Sequence, residues 1–236
     1  MNIIDIMIIL ILLYGAVMGF KKGFTSAVIS CVGVIAVIVI SYLFKNPISQ
    51  IFYNIFPFFK FGGIIKGATV LNIVLYELLA FGIVFSILMI VFRLVLVTSK
   101  IFEKILKYTI ILGIPSKLLG MLVGLVESFI IVFMLLFIMS LPIFGAKEIQ
   151  ESKLKDKILT SVPVLDKGAK KVLTVTEKFA GLKEKYQETK DANTFNLETL
   201  DLFLEYKVIS VQNTEKLIQK GKLSLKGADT VLDKYR

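Results

Sequence analysis

Three charged side chains that interrupt long apolar stretches are the strongest candidates for chemistry in this sequence: Glu77, Arg93 and Glu127. Ionisable residues are costly in hydrocarbon, so those within membrane-spanning segments mark ion pairs or paths for ions and protons. With a helix rise of about 1.5 Å per residue, Glu127 and Arg93 lie close enough in depth for a long arginine to form an ion pair, which we favour. A path for ions or protons through Glu127 is the alternative. We expect Glu77, nearer the outer end of its stretch, to reach the lipid headgroups.

The residue inventory argues against an enzyme. The chain has 236 residues, no histidine and a single cysteine, Cys31. The lack of histidine removes His-based acid–base catalysis, Ser–His–Asp triads and most zinc sites. A lone cysteine cannot form a disulfide within the chain. We therefore expect no catalytic residue, no metal site and no cofactor.

The apolar residues of this chain are numerous and concentrated before residue 145. Hydrophobic residues make up 56% of the sequence, whereas soluble domains contain about 45–50%. A helix needs about 20 apolar residues to cross the hydrocarbon of a bilayer. Four segments meet this requirement, at about 3–20, 24–44, 70–97 and 118–141. The sequence predicts an all-α, polytopic membrane protein with about four transmembrane helices and a helical C-terminal tail.

The segment 45–69 between the second and third spans is both apolar and broken. Pro47, Pro57 and the pair Gly62 and Gly63 are expected to prevent one continuous helix. Its many phenylalanines favour a segment that lies in the interface or folds back against the bundle.

Glycines at four-residue spacing occur in the first and fourth spans: Gly15, Gly19, Gly23, Gly120 and Gly124. In lipid, glycine allows two helix backbones to approach closely. We favour packing between spans of one chain, and a homo-oligomer interface is the alternative.

Lysines near the membrane predict the orientation of the chain. Six lysines lie on the loops assigned to the inner surface: Lys21, Lys22, Lys100, Lys104, Lys107 and Lys117. Three lie on the opposite loop: Lys45, Lys60 and Lys66. This count places the N-terminus and the tail outside the cytoplasm. We explain the net charge of +10 by lysines that face anionic lipid headgroups. No nucleic-acid partner is expected.

The tail is expected to contain two parts after a transmembrane domain at 1–145. Residues 146–195 are predicted to be an amphipathic helical linker, most polar at 181–194, and residues 196–236 a small helical unit. Start and stop signals within that unit predict three short helices at about 197–207, 213–221 and 226–235. About 40 residues are at the lower limit for independent folding, so this unit needs a partner or the membrane body.

The opening residues IIDIMIILILLYGAVMGFKKGF resemble the start of the colicin V production protein (CvpA) family. That family has an Asn/Ile-Asp opening, an apolar span and a Gly-Phe-basic-basic-Gly-Phe turn. The residues that carry the resemblance are Asp5, Gly15, Gly19, Phe20, Lys21, Lys22, Gly23 and Phe24. The fourth span is similar to the family's Gly-xxx-Gly closing helix, although Glu127 departs from the basic or neutral residue expected there. The resemblance covers about residues 1–145.

The resemblance implies a multi-pass protein of the bacterial cytoplasmic membrane, linked to peptide-toxin production and envelope homeostasis. It supplies no catalytic residue. In some relatives the spans precede an extracytoplasmic serine-protease domain, which favours an outward tail, but a tail without histidine is not such a protease. We therefore expect a membrane scaffold or accessory protein whose tail binds an envelope protein. The alternative is a small transporter or channel subunit with Glu127 in its path.

Overall fold

The computed structural model describes residues 2–59, 68–98, 113–141, 149, 151–161 and 163–236. Regular secondary structure in these residues is helical. Five lysines used to predict the orientation lie outside the described residues: Lys60, Lys66, Lys100, Lys104 and Lys107. Residues 60–67 of the segment 45–69 also lie outside them.

Four long helices have the length and composition needed to cross a membrane. They are α1 (Ile3–Lys22), α2 (Phe24–Ile55), α3 (Leu71–Thr98) and α4 (Gly113–Met139). The mean hydropathy of the most apolar stretch is 2.5 in α1 and 2.7 in each of the other three. The predicted all-α, multi-pass fold is therefore confirmed.

Helix α2 is longer than the predicted second span, because Pro47 does not end it. Pro47 lies within the helix, and prolines are tolerated in membrane helices when neighbouring groups satisfy the freed backbone. The helix does end just before Pro57, whose ring disfavours helical backbone in the preceding residue. The prediction that proline breaks the segment 45–69 was wrong for Pro47 and confirmed for Pro57.

The chain divides into two compact units. The first contains Met1–Leu43, Gly82–Ile138 and Ala146–Ser161, and the second contains Phe44–Phe81, Met139–Gly145 and Val162–Arg236. Helices α2 and α3 contribute residues to both. This division differs from the predicted domains 1–145, 146–195 and 196–236, because the tail shares its core with the ends of α2 and α3.

The first unit contains α1, α4, most of α3, the first part of α2 and the short helix α5 (Lys153–Thr160). Large apolar side chains cover its outer faces, with Leu10, Val32, Ile90 and Leu122 each at least 57% exposed. A water-soluble domain would bury such residues, whereas a lipid-facing bundle exposes them to acyl chains.

Among the described residues, the second unit contains four helices of the tail: α6 (Pro163–Thr189), α7 (Ala192–Glu205), α8 (Val211–Gln219) and α9 (Ala228–Leu232). Pro163 begins α6, where its missing N–H costs no hydrogen bond. Ser210 caps α8 by accepting a hydrogen bond from the N–H of Asn213. The three predicted short helices correspond to α7, α8 and α9. The polar stretch 181–194 of the predicted helical linker is mostly helix, because α6 continues to Thr189.

The core of the second unit combines tail residues with residues of α2 and α3. The tail supplies Val175, Phe179, Phe195, Leu200, Phe203, Leu217, Leu223 and Leu232, and α2 and α3 supply Tyr53, Leu71, Ile73 and Tyr76. Each of these side chains is at most 7% exposed. The small tail unit is therefore completed by the chain's own long helices.

Candidate functional site

Helices α1 and α4 approach each other so closely that only glycine fits between them. A Cβ atom built on Gly19 would lie 2.1 Å from the carbonyl oxygen of Gly120. One built on Gly124 would lie 2.3 Å from the carbonyl oxygen of Gly15. Both distances are far below a van der Waals contact, so side chains at these positions would force the backbones apart. A Cβ atom built on Gly120 would also lie 2.6 Å from the carbonyl carbon of Gly23, so the structure brings all five predicted packing glycines together within one chain.

Gly23, the fifth of these glycines, forms the joint between α1 and α2. Its φ of 74° is in the region that disfavours residues with a side chain. Its N–H donates to the carbonyl oxygen of Gly19 over 3.0 Å. The following N–H, of Phe24, donates to the Oγ of Ser116 on α4 over 3.2 Å. The turn is therefore fastened to the start of α4.

Glu127 is hydrogen-bonded to a serine and is not paired with arginine. The Oγ of Ser30 on α2 donates to Oε1 of Glu127 over 2.8 Å, and Nζ of Lys22 donates to that Oγ over 3.3 Å. The expected ion pair with Arg93 was wrong, because Arg93 lies on an exposed face of α3. A polar chain from Lys22 through Ser30 to Glu127 thus enters the first unit.

Glu77 is buried in the second unit instead of reaching the headgroups. Its side chain is only 5% exposed and forms an ion pair with Lys45 of α2. Its Oε1 accepts a hydrogen bond of 2.8 Å from Nδ2 of Asn213 on α8. Asn213 Oδ1 accepts from Nε2 of Gln50, and Oε1 of Gln50 accepts from Nζ of Lys216. The carboxylate therefore anchors α8 to both α2 and α3, and breaking a buried pair of this kind is strongly destabilising.

Asp5 caps one helix and is bound by the start of another. At the first turn of α1, Asn2 and Asp5 cap each other reciprocally in a capping box. Oδ1 of Asp5 also accepts hydrogen bonds from Oγ of Ser152 over 2.6 Å and from the N–H of Leu154 over 3.2 Å. The carboxylate that caps α1 therefore also holds the start of α5 against the start of α1.

The described lysines of the predicted inner surface have different environments. Lys21 is exposed and Lys22 donates to Ser30. Lys117 lies with Nζ 5.9 Å from the centroid of the Phe20 ring, within the range of a cation–π contact.

Two ionisable groups of the tail have pKa values shifted by their neighbours. Hydrogen bonds from Thr194, first from its hydroxyl and then from its N–H, hold the pKa of Asp191 below its usual range, and Asp191 caps α7. Burial and a hydrogen bond to Asp201 raise the pKa of Tyr235 to about 12. Both pKa shifts arise from contacts within the folded tail.

Sequence reasoning missed several polar partners, and one of them carried a usable signal. Ser152 precedes α5 in the manner of an N-cap residue. Ser30, Gln50 and Asn213 carried none, because their partners lie 97, 163 and 136 positions away in the chain.

The chemistry available to these groups is that of structural hydrogen bonds and ion pairs. Within the described residues, no group of three or more Cys, Asp or Glu side chains is arranged to hold a metal ion. The buried carboxylates of Asp5 and Glu77 each accept at least two contacts from other helices. Their geometry fixes helices in place.

A comparison with protein families matches residues 4–162 to the colicin V production protein family. None of the curated proteins matches the chain. Nor does any solved structure. The family match covers more than half of the 236 residues and includes all four membrane-spanning helices. This chain is therefore a multi-pass membrane protein that belongs to the colicin V production protein family.

Proposed function

We propose that this protein is a membrane scaffold or accessory protein that acts in peptide-toxin production or envelope maintenance. Its tail helices would bind another protein of the bacterial envelope. The observation that carries this proposal is the anchoring of α8 through Asn213 to the buried Glu77. Anchored in this way, the tail is a preformed helical surface attached to membrane helices. We propose further that the protein is not an enzyme, since the chain has no histidine and only one cysteine.

The exposed face of α6 is the partner surface that we would test first. Glu177, Glu184 and Glu188 are all exposed, and spacings of seven and eleven residues put them on one side of the helix. Deletion of the tail is a poor test, because it would uncover the core side chains Tyr53 and Leu71. Reversal of the three charges to lysine leaves that core intact.

The functional test is complementation of a strain that lacks this protein. Glu177→Lys, Glu184→Lys and Glu188→Lys together should abolish toxin production or envelope-stress resistance, while the amount of protein in the membrane stays normal. The matched control replaces the same three residues by aspartate and should complement. Full complementation by the lysine variant would exclude this face of α6 as the partner surface.

We also propose that the protein lies in the cytoplasmic membrane with its N-terminus and tail outside the cytoplasm. The lysine count of the loops supports this orientation. The test uses single cysteines on a Cys31→Ser background and a maleimide that does not cross membranes. Ser224 in the tail and Lys21 in the α1–α2 turn are both exposed, so Ser224→Cys and Lys21→Cys report opposite sides.

In intact cells, Ser224→Cys should be labelled at once and Lys21→Cys only after lysis. The reverse pattern would put the tail in the cytoplasm and direct the search to cytoplasmic partners. Three of the four spans separate these two positions, so they must lie on opposite sides of the membrane. Labelling of both cysteines, or of neither, in intact cells would therefore contradict the four-span topology.

A second candidate function, a small transporter or channel subunit, is favoured by the polar chain formed by Lys22, Ser30 and Glu127. It predicts solute or proton flux in vesicles that contain the purified protein, and Glu127→Gln should abolish that flux. Arg93→Gln is the matched control, since Arg93 lies on an exposed face away from this chain of hydrogen bonds. Vesicles without flux would exclude this function and leave the scaffold.

A further inference from the structure

The C-terminal end of α2 presents an aligned apolar surface. Phe44, Ile51 and Ile55 are 54%, 49% and 65% exposed, and spacings of seven and four residues put them on one face of the helix. Phe56 and Phe59 follow the end of the helix and are also exposed, by 45% and 50%. Scattered exposed apolar residues are ordinary, but a contiguous patch marks a surface that is covered in the working protein. We call these five residues the α2 stripe.

The length of α2 places the stripe near a membrane surface. The helix has 32 residues and is therefore about 48 Å long, whereas the hydrocarbon core is about 30 Å thick and the bilayer with its headgroups about 40–45 Å. Tilts of up to about 40° are observed for membrane helices. A tilted α2 that begins at one interface ends in the headgroup layer of the other. The stripe then lies where acyl chains meet headgroups.

Three lysines of the tail lie along the edge of the stripe. Nζ of Lys216 donates to Oε1 of Gln50 over 2.6 Å, and Nζ of Lys220 donates to Oδ1 of Asn54. Nζ of Lys222 donates to the carbonyl oxygen of Phe56 over 2.8 Å. Gln50 and Asn54 immediately precede Ile51 and Ile55 in the helix, so two of the ammonium groups are bound one position before a residue of the stripe, and the third is bound at the backbone of Phe56.

The charges of this surface fit an anion and disfavour a second copy of the chain. An ammonium group has three N–H donors, and among the described residues each of these three lysines donates one hydrogen bond to α2 or to Phe56 just after it. Glu215, the acidic residue on α8, is bound by Nε of Arg236 over 2.8 Å. Two copies packed symmetrically through this surface would bring like charges together. Apolar side chains flanked by cations are typical of surfaces that bind anionic lipids.

We propose that the α2 stripe and Lys216, Lys220 and Lys222 form a binding site for an anionic phospholipid of the surrounding bilayer. The acyl chains lie on the stripe and the phosphate is held by the three ammonium groups. The site fixes the tail against the membrane surface, and it does so on whichever side of the membrane the tail lies.

The absence of tryptophan from the chain allows a direct test with the full-length protein. Ile55→Trp introduces a single indole into the stripe, and Gln187→Trp introduces one on an exposed position of α6 as a control. Each protein is reconstituted into vesicles of phosphatidylcholine with or without phosphatidylglycerol, and one of the two lipids carries brominated acyl chains. Quenching of indole fluorescence by bromine then measures which lipid contacts the stripe.

The indole of Ile55→Trp should be quenched by brominated lipid, with phosphatidylglycerol preferred, and that of Gln187→Trp should not. On the Ile55→Trp background, replacing Lys216, Lys220 and Lys222 by glutamine should reduce the preference by about fivefold for each lysine. Glutamine keeps a donor for the bonds to α2, so it removes the charge with little change to the packing. The three arginine replacements should retain the preference.

A second control replaces Lys171, Lys190 and Lys207 by glutamine, because these exposed lysines lie elsewhere on the tail. This control should keep the preference for phosphatidylglycerol. A preference that survives the Lys216, Lys220 and Lys222 replacements would overturn the proposal. So would an unquenched indole at position 55, which would mean that protein covers the stripe.

Discussion

The close contact between α1 and α4 predicts that one added methyl group destabilises the protein. Alanine at position 19 would place its Cβ 2.1 Å from the carbonyl oxygen of Gly120, and 2.8 and 2.9 Å from the Cα and N of Gly124. All three are backbone atoms, which cannot rotate away as a side chain could. The two helices must therefore separate by about 1 Å, and closely packed interiors accommodate such a change poorly.

The size of the effect follows from two opposing contributions. Overpacking of a close contact costs about 1–3 kcal/mol. Replacing glycine by alanine within a helix recovers up to about 1 kcal/mol. Gly82→Ala isolates the second contribution, because a Cβ at Gly82 in α3 has no atom within 4 Å. We expect Gly19→Ala to be less stable than Gly82→Ala by about 1–3 kcal/mol.

The assay is unfolding of the purified protein in micelles, followed by the loss of helical circular dichroism. Gly124→Ala provides an independent second test, since its Cβ would lie 2.3 Å from the carbonyl oxygen of Gly15. Equal stability of Gly19→Ala and Gly82→Ala would refute the close approach of α1 and α4. If Gly19→Ala instead reduced the oligomer size and left the stability of the monomer unchanged, these glycines would belong to an interface between copies.

Three further predictions concern the second unit. Lys45→Ala should lower the free energy of unfolding by about 3–5 kcal/mol, because it leaves the buried carboxylate of Glu77 without its ion-pair partner. Glu77→Ala should also destabilise the protein, and in denaturant titrations the double variant should lose less than the sum of the two single variants. The pKa of Asp191 is lowered from its ordinary value of 3.8, so Asp191 stabilises the folded protein above pH 3.8. This stabilisation is lost as the pH falls through the lower pKa of Asp191 in the folded protein. Asp191→Asn should weaken that acid dependence in melting curves. The pKa of Tyr235 is raised, so its contribution to the stability of the folded protein is complete below pH 10. This contribution is lost as the pH rises toward about 12. Tyr235→Phe should remove a tyrosinate absorbance step near pH 12, and Asp201→Asn should move that step to lower pH.

The sequence was sufficient to predict the helical spans because their signal is local. Four apolar stretches and the four-residue spacing of glycines need no knowledge of distant contacts, and the structure contains the four long helices. The capping role of Asp5 was also predictable, because its partner Asn2 lies in the same turn. Pro47 was misinterpreted, since a local rule for proline takes no account of the neighbours that a membrane helix can use.

The environments of the charged residues could not be predicted, because their partners are distant in sequence. Glu77 was expected at the headgroups, yet Asn213 binds it across 136 positions of the chain. Glu127 was expected to bind Arg93, yet a serine on α2 satisfies it. Hydropathy indicates that a charge in a span needs a partner, but it cannot distinguish an ion pair from a hydrogen bond.

Several residues that carry the family resemblance have structural tasks. Asp5 holds the starts of α1 and α5 together, and Gly15 and Gly19 allow α4 to pack against α1. These residues fall within the matched region 4–162, so the match identifies a way of building a membrane bundle. Helix α6 begins at Pro163, immediately after that region. Under the proposed scaffold function, we therefore expect the partner surface in α6 to α9, and Glu77 helps to attach these helices to α3 through Asn213. A variant that breaks this attachment should lose function with the bundle intact, whereas Gly19→Ala should damage the bundle and the function together.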